Sequence, residues 1–286
     1  MNYVGSYINL DRRTDRRAEI EAELTHFGLL PHYRRFSAVE GNGLNLSNPF
    51  LTSGEMGCFS SHYLLLKESL GLDRHLHVIE DDVVFSFATA EVINTLIEQN
   101  LFAGCDIVYT DVFVPIVDSA YKAYKKFYDS AVTRDENGRL SVKSYSVAAL
   151  KGLPFGSTSS YMVNKDSIQK LHDLYAQQIV NEPSASNDLF IRALNEAGLI
   201  KVGCIFPFVT SVRLDHIIAT DIERNYHKAS ALAAHLGRYS FFIGADFDKA
   251  REYLNTYLPL PPANDPTAQV LSHVLAFSLT DNYRPF

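Results

Sequence analysis

Glu80-Asp81-Asp82 sets three carboxylates directly after the short apolar run His75 to Ile79. Like charges so close repel and raise each other's pKa. A divalent cation relieves that repulsion. Hard oxygen ligands suit Mn²⁺ or Mg²⁺, which in turn neutralises a diphosphate. Glu80 and Asp82 are two apart, so in extended backbone they project to one side and form the candidate ligand pair. The plain alternative is a solvated turn after a strand. A second set, Asn9, Arg12, Arg13, Arg16 and Arg17, follows the first apolar run. Guanidinium forks bind phosphate bidentately, and a helix N-terminus adds a favourable dipole; a solvated basic helix face is the competing account. Asp188 stands two residues after Ser186, near the start of an expected helix. An acidic residue there complements the helix dipole, and as a carboxylate it can act as a general base.

Other combinations point less far. Cys58 and His62 are four apart, a spacing that can hold zinc on one helix face, but no second Cys/His pair follows at finger spacing. A packed Cys and a hydrogen-bonded His fit better. Gly41-Asn42-Gly43 opens like a dinucleotide fingerprint, yet Leu46 stands at the later glycine position and the run follows the second strand. Tyr121, Lys122, Tyr124, Lys125, Lys126, Phe127 and Tyr128 interleave aromatic and basic groups. Such a stretch can meet a glycan acceptor, an anionic lipid surface or nucleic acid, although a mobile surface loop explains it more simply.

Residues 3–10 and 33–39 read as buried strands, and the segment between them as a helix capped by Thr14 and ended by Gly28. Thr52-Ser53-Gly54-Glu55 has the form of a capping box, and Phe59, Tyr63, Leu66 and Leu70 continue it as a helical stripe. Strands are expected at 75–79, 105–110, 155–163 and 199–206, and helices at 87–99 and 166–178. A helix capped by Ser186 should turn Leu189, Phe190, Ala193 and Leu194 to the core and end at Gly198. Asn137-Gly138 marks a hairpin. Alternating strand and helix imply an α/β sheet with many parallel neighbours, whose carboxyl edge is where such folds bind ligands. After about residue 225 the pattern turns helical, then Pro-rich from Leu258 to Pro262, so we divide the chain into 1–225 and a C-terminal helical extension, 226–286.

The 286 residues are 47% hydrophobic, enough for a substantial core, and the formal net charge of -7 argues against nucleic acid as the main partner. Three scattered cysteines are not a disulfide framework. No run approaches the ~20 apolar residues of a membrane span, and Met1-Asn2-Tyr3-Val4 does not open a signal peptide. The expectation is a soluble protein of a reducing, cytoplasmic compartment, in which the sequon Asn45-Leu46-Ser47 is chance.

Taken together, several segments resemble glycosyltransferase family 25, which contains the bacterial lipooligosaccharide glycosyltransferases and the collagen galactosyltransferases. Ile8-Asn9-Leu10-Asp11-Arg12-Arg13-Thr14-Asp15-Arg16-Arg17 looks like its first motif, and Phe36-Ser37-Ala38-Val39-Glu40-Gly41 like its second strand and turn. Gly54-Glu55-Met56-Gly57-Cys58-Phe59-Ser60-Ser61-His62 is similar to its Gly-Glu-x-Gly-Cys-x-x-Ser-His helix, and Val78-Ile79-Glu80-Asp81-Asp82-Val83 to its metal motif. Weaker echoes follow at Gly156 to Val163 and around Asp188, where Ser186-Asn187 replace the family's usual acidic pattern.

The resemblance implies a glycosyltransferase-A-like nucleotide-binding α/β sandwich with a mixed, mostly parallel sheet. It implies an inverting, Mn²⁺- or Mg²⁺-dependent transfer of a hexose, galactose first, from a UDP-sugar to a glycan hydroxyl in lipopolysaccharide or lipooligosaccharide assembly. Asn9, Arg12, Arg16 and Ala38 would line the nucleotide site with Ser61 and His62 nearby. Asp81 would face the ribose or support the metal. Glu80, Asp82 and, late in the chain, His216 would hold the cation, and Asp188 would be the base. A lipid-linked acceptor would bring peripheral contact with the inner membrane face. The alternatives are a nucleotide-sugar hydrolase or nucleotidyltransferase on the same carboxylates, and a non-catalytic glycan-binding homologue.

Overall fold

The strands that carry the candidate residues are apolar on both faces, which requires cover on both sides. The computed structural model of the chain shows that cover. It describes residues 1–42, 51–100, 102, 104–115, 119–120, 122–125, 129, 132–134, 136, 140–142, 144–180, 183–217 and 229–257. The elements that position the site are β1 (Tyr3–Asn9), α1 (Thr14–His26), β2 (Tyr33–Ser37), α2 (Ser53–Glu68), β3 (His75–Glu80), β4 (Val83–Phe85), α3 (Thr89–Glu98) and β5 (Ile107–Tyr109). A small antiparallel hairpin, β6 (Val132–Arg134) with β7 (Leu140–Val142), flanks the expected turn, whose Asn137-Gly138 lies outside the described residues. Then come β8 (Ser146–Ala149), β9 (Ser160–Val163), α4 (Ile168–Val180), α5 (Asn187–Glu196), β10 (Val202–Phe206), β11 (Thr210–Val212), α6 (Ala229–Tyr239) and α7 (Phe247–Tyr257).

Seven strands form one sheet in the order β2-β1-β3-β9-β5-β10-β8. The pairs β2-β1, β1-β3 and β5-β10 are parallel, whereas β9 runs against both neighbours and β8 against β10. Five strands therefore share one direction, the mixed, mostly parallel sheet that the resemblance implied. Side chains alternate between faces along each strand. Leu76 and Val78 of β3 join Phe59, Leu66, Leu171, Tyr175 and Phe190 from α2, α4 and α5 on one side. Ile79 joins Ile20, Leu24, Ile93 and Leu96 from α1 and α3 on the other. Phe59 is 0% exposed, and burying a side chain of that size contributes on the order of 2 kcal/mol.

Local details depart from expectation. Arg13, not Thr14, is the N-cap of α1, and no side chain caps it. Ser186 is the N-cap of α5 by backbone, but its hydroxyl accepts no helix N–H. In α5, Ala193 is exposed and Ile191 takes the core position instead, because the buried face is centred on Phe190, Ile191 and Leu194. Leu70 lies beyond the end of α2 and is exposed. Tyr124 is buried against Phe208 and Phe241 while Lys122 and Lys125 are exposed, so the described part of the basic-aromatic stretch is a surface segment anchored by one ring; Tyr121, Lys126, Phe127 and Tyr128 lie outside the described residues, as does the sequon. The capping box at Thr52 and Glu55 is formed, and Gly28 and Gly198 follow their helices with φ of 66° and 73°. Leu236, Tyr239, Ala250 and Tyr253 of α6 and α7 pack into the same core as the sheet. Among the described residues no helix is long and apolar enough to cross a membrane.

Candidate functional site

Parallel strands deliver their C-terminal ends to one edge of the sheet, and the antiparallel β9 delivers its N-terminal end there. Asn9, Ala38, Glu80-Asp81-Asp82, Asp111 and Gly156 to Ser159 therefore meet at that edge. The three carboxylates then separate in role. The Glu80 N–H donates to the Ser159 carbonyl at 2.8 Å. Its Oε1 accepts from the Thr158 hydroxyl at 3.0 Å and lies 3.4 Å from Nε2 of His62. Burial opposes its charge, but His62, Thr158 and Arg16 outweigh burial and hold Glu80 below the ordinary carboxylate value. Mutual repulsion thus does not raise both members of the expected pair. It acts on Asp82, which burial first, and then the charges of Glu80 and Asp81, push up to about 7. Asp82 Oδ1 is buried with no partner among the described residues, while the Asp82 carbonyl is held by the Arg213 N–H at 2.8 Å.

Asp81 is held by partners of its own. It accepts from Asn9 Nδ2 at 2.7 Å and from Arg16 Nη1 at 3.3 Å. Burial nevertheless keeps its carboxyl above the ordinary value. Asn9 also donates to the Arg13 carbonyl at 3.0 Å and accepts from Arg35 Nε at 3.0 Å. At 1% exposure it acts through these partners and does not face a cavity.

Two cavities adjoin the carboxylates. One, about 310 Å³, is lined by Arg12, Arg16, Ala38, Ser61, His62 and Asp81, with Gly41 and Asn42 at the β2 exit. The other, about 300 Å³, is lined by Asp188, His216, Arg192, His235, Arg238 and the Gly156 to Ser159 loop. Cys58, Glu80 and Asp82 line both, so they form the wall between them. Glycine is required where α2 meets the β2 exit: a Cβ on Gly57 would stand 2.7 Å from the Val39 carbonyl oxygen. Ser61 locks the same crossing, donating to the Gly57 carbonyl at 2.7 Å and accepting from the Val39 N–H at 2.8 Å. Arg12 pairs with Glu40 at 3.1 Å in an exposed setting, where such pairs contribute little to stability.

In the second cavity, Asp188 Oδ1 accepts from the Ser186 hydroxyl at 2.6 Å and the Leu189 N–H at 2.9 Å, and Oδ2 accepts from the Ser157 N–H at 3.1 Å. The cap serine is thus engaged by the Asp188 side chain rather than by a backbone N–H of the helix. Ser157 adopts φ 71°, and a Cβ on Gly156 would stand 2.8 Å from Asp188 Oδ2. His216 reaches the cavity, but its Nε2 pairs with Glu19 at 2.9 Å and only Nδ1 is buried without a partner. Burial, then the charge of Arg16, lowers its pKa. Among the described residues, the group of three whose donor atoms lie within 4.8 Å of one another is Cys58, His62 and Glu80; Asp82 and His216 are not part of it.

The reading of the sequence missed Asp111 and Arg238. They form a fully buried ion pair, and Arg238 Nη2 also donates to Ser159 Oγ at 2.8 Å. Asp111 carried a signal, an acid just past a strand at the carboxyl edge. Arg238 carried none, because its helix is remote in sequence. His235, stacked on Phe113 at 4.2 Å, was missed for the same reason.

Residues 2–189 match the profile of glycosyltransferase family 25, described as an LPS biosynthesis protein. A glycosyltransferase 25 family member of Anopheles gambiae is 32% identical over 123 residues, 36% of this chain and 20% of that protein. Procollagen galactosyltransferase 1-B of Xenopus laevis is 34% identical over 120 residues, 35% and 19% of the two chains. The matched segment thus spans about a fifth of the length of these relatives. A solved structure, galactosyltransferase LgtC with donor and acceptor sugar analogs, covers 70% of this chain and 72% of its own at 12% identity and a TM-score of 0.34. With the family match running through both the α2 helix and the carboxylate wall of the cleft, the chain belongs to glycosyltransferase family 25.

Proposed function

We propose that the chain is a metal-dependent, inverting glycosyltransferase that moves a hexose, galactose first, from a UDP-sugar to a glycan hydroxyl. The observation that carries this is the wall of Glu80 and Asp82 between two cavities, one lined by arginines and backbone at a helix entry, the other holding Asp188. Such a wall suits a reaction in which a nucleotide diphosphate lies on one side and an acceptor on the other.

The donor set fits a hard cation. Asp82 offers a buried oxygen without a partner, and Glu80 offers a carboxylate beside it. His216, which lines the same cavity as Glu80 and Asp82, would add its Nδ1. When bound, Mn²⁺ or Mg²⁺ would act as a Lewis acid on the leaving diphosphate. Arg12 and Arg16 would bind phosphate oxygens. Asp81, held by Asn9 and Arg16, would face the ribose or brace the metal site. Ala38, Ser61 and His62 would shape the nucleotide cavity. Asp188, positioned by three donors, would take the proton from the acceptor hydroxyl. The oxocarbenium-like transition state expected of glycosyl transfer would develop between it and the wall. The acceptor we propose is an oligosaccharide or lipid-linked glycan, the latter with peripheral membrane contact. The boundary near residue 225 is likewise a proposal, and across it α6 and α7 pack into the same hydrophobic core as the sheet.

The test is release of UDP from a panel of UDP-sugars, with Mn²⁺ or EDTA, and with or without galactoside and glucoside acceptors. Metal-dependent release stimulated by an acceptor is expected. Release indifferent to every acceptor would favour a hydrolase, and no UDP binding would leave a glycan-binding protein. Asp188→Asn should keep donor binding while turnover falls by about 10²–10⁴.

A further inference from the structure

The Cys58 and His62 spacing lacked a partner pair in the sequence, and the fold provides a different third donor. Both residues lie one turn apart on α2, and β3 brings Glu80 to them from the sheet. One ligand atom from each falls within 4.8 Å of the others, and His62 Nε2 is already 3.4 Å from Glu80 Oε1. We propose that Cys58, His62 and Glu80 form a three-ligand site for a borderline-soft divalent cation such as Zn²⁺, open to the cleft at its fourth position.

Three features support the assignment. Sulfur, imidazole and carboxylate are the donor types that zinc takes in tetrahedral sites, at about 2.3 Å for sulfur and about 2.0–2.2 Å for nitrogen and oxygen. The three donor atoms, now within 4.8 Å of one another, close to those lengths on binding. The second nitrogen of His62 is held: Nδ1 lies 2.7 Å from the Tyr161 hydroxyl, the outer-shell contact that orients a ligating imidazole. On metal binding, Nδ1–H donates to the Tyr161 oxygen, leaving the Nε2 lone pair for the cation. The Cys58 thiol loses its proton to solvent, so thiolate and carboxylate balance the two positive charges. Cys58 and Glu80 line both cavities, which leaves the remaining coordination position toward the cleft. If the preceding reading of Glu80 and Asp82 holds, the hard and soft sites share Glu80, and zinc competes with Mn²⁺ there.

The experiment is a Co²⁺ titration of the reduced full-length chain without nucleotide, followed by absorption spectroscopy, with Zn²⁺ as competitor. A thiolate-to-cobalt charge-transfer band and intense visible bands should grow to one equivalent, collapse on adding Zn²⁺, vanish in Cys58→Ser and weaken in His62→Gln. Near-ultraviolet circular dichroism checks that both variants keep the wild-type fold. No charge-transfer band, or one that persists in Cys58→Ser and so arises at Cys105 or Cys204, overturns the proposal. An absent band alongside intact Mn²⁺-dependent UDP binding sinks this inference alone; a band without UDP binding sinks the transferase reading alone.

Discussion

The buried pair between Asp111 and Arg238 yields the sharpest quantitative expectation. Side-chain exposure is 0% for Asp111 and 1% for Arg238, so neither charge has water as an alternative partner. Burial of the Asp111 carboxyl outweighs the nearby guanidinium and holds it above the ordinary value. A pair so desolvated adds little net stability, yet breaking it strands a charge. Arg238→Met should therefore cost about 3–5 kcal/mol, a fall of roughly 5–8 °C in Tm for a chain of this size. The double variant Asp111→Leu with Arg238→Met should return to within about 1 kcal/mol of wild type, because the stranded group is gone. Urea denaturation of the wild type, both singles and the double gives the coupling energy directly. The deficit of Arg238→Met should also shrink towards acid pH. With its folded pKa raised, Asp111 destabilises that variant above its unfolded value and ceases to do so once protonated. A double variant as unstable as Arg238→Met, or a single variant costing under about 1 kcal/mol, would refute the electrostatic account and leave side-chain packing as the cause.

Gly156→Ala should lower kcat by about 10²-fold with the Tm nearly unchanged, since the new Cβ would stand 2.8 Å from Asp188 Oδ2 and displace the proposed base. Steady-state kinetics beside a melting curve checks it, and unchanged kcat would remove Asp188 from the reaction. Burial drives His77 and His235 each to about 3. Their folded pKa values lie below the unfolded one, so stability is full above about pH 6.5 and falls by about 1.4 kcal/mol per pH unit per histidine from there towards pH 3. In urea denaturation across that window, His77→Gln should remove one proton's share of the slope; an unaltered slope would show that His77 is protonated in the fold. Asp82→Asn should lose Mn²⁺-dependent UDP binding by calorimetry while keeping its circular dichroism spectrum, and undiminished binding would move the metal away from Asp82.

Much of the cleft was legible because its parts are local. The capping box at Thr52, the helical stripe through Phe59 and Leu66, and the strand ending in Glu80 depend on neighbours a few residues away, so periodicity reveals them. The ends of parallel strands share one edge by topology, so an acid after β3 could be placed at a ligand site without coordinates. The three family segments around Asn9, Gly57 and Glu80 were readable for the same reason.

What the sequence could not assign was the division of labour among neighbours. Asp81 and Asp82 are adjacent and identical in type. Asp81 is taken up by Asn9 and Arg16, which β1 and α1 bring to it from far earlier in the chain, and Asp82 keeps a buried oxygen without a partner among the described residues. The cap of α1 fell on Arg13 rather than Thr14, and Ser186 caps α5 by backbone position while its hydroxyl goes to the Asp188 carboxylate. The pairing of Cys58 and His62 with Glu80, and of Asp111 with Arg238, joins residues 18 or more positions apart. Contacts of that kind arise when helices pack across a sheet, and hydrophobic burial, which drives that packing, carries no direction that a linear pattern could record. The sequence alone thus determined the strands, helices and the edge where they deliver charge. Tertiary packing decided which of those charges are satisfied by the protein and which remain for a ligand.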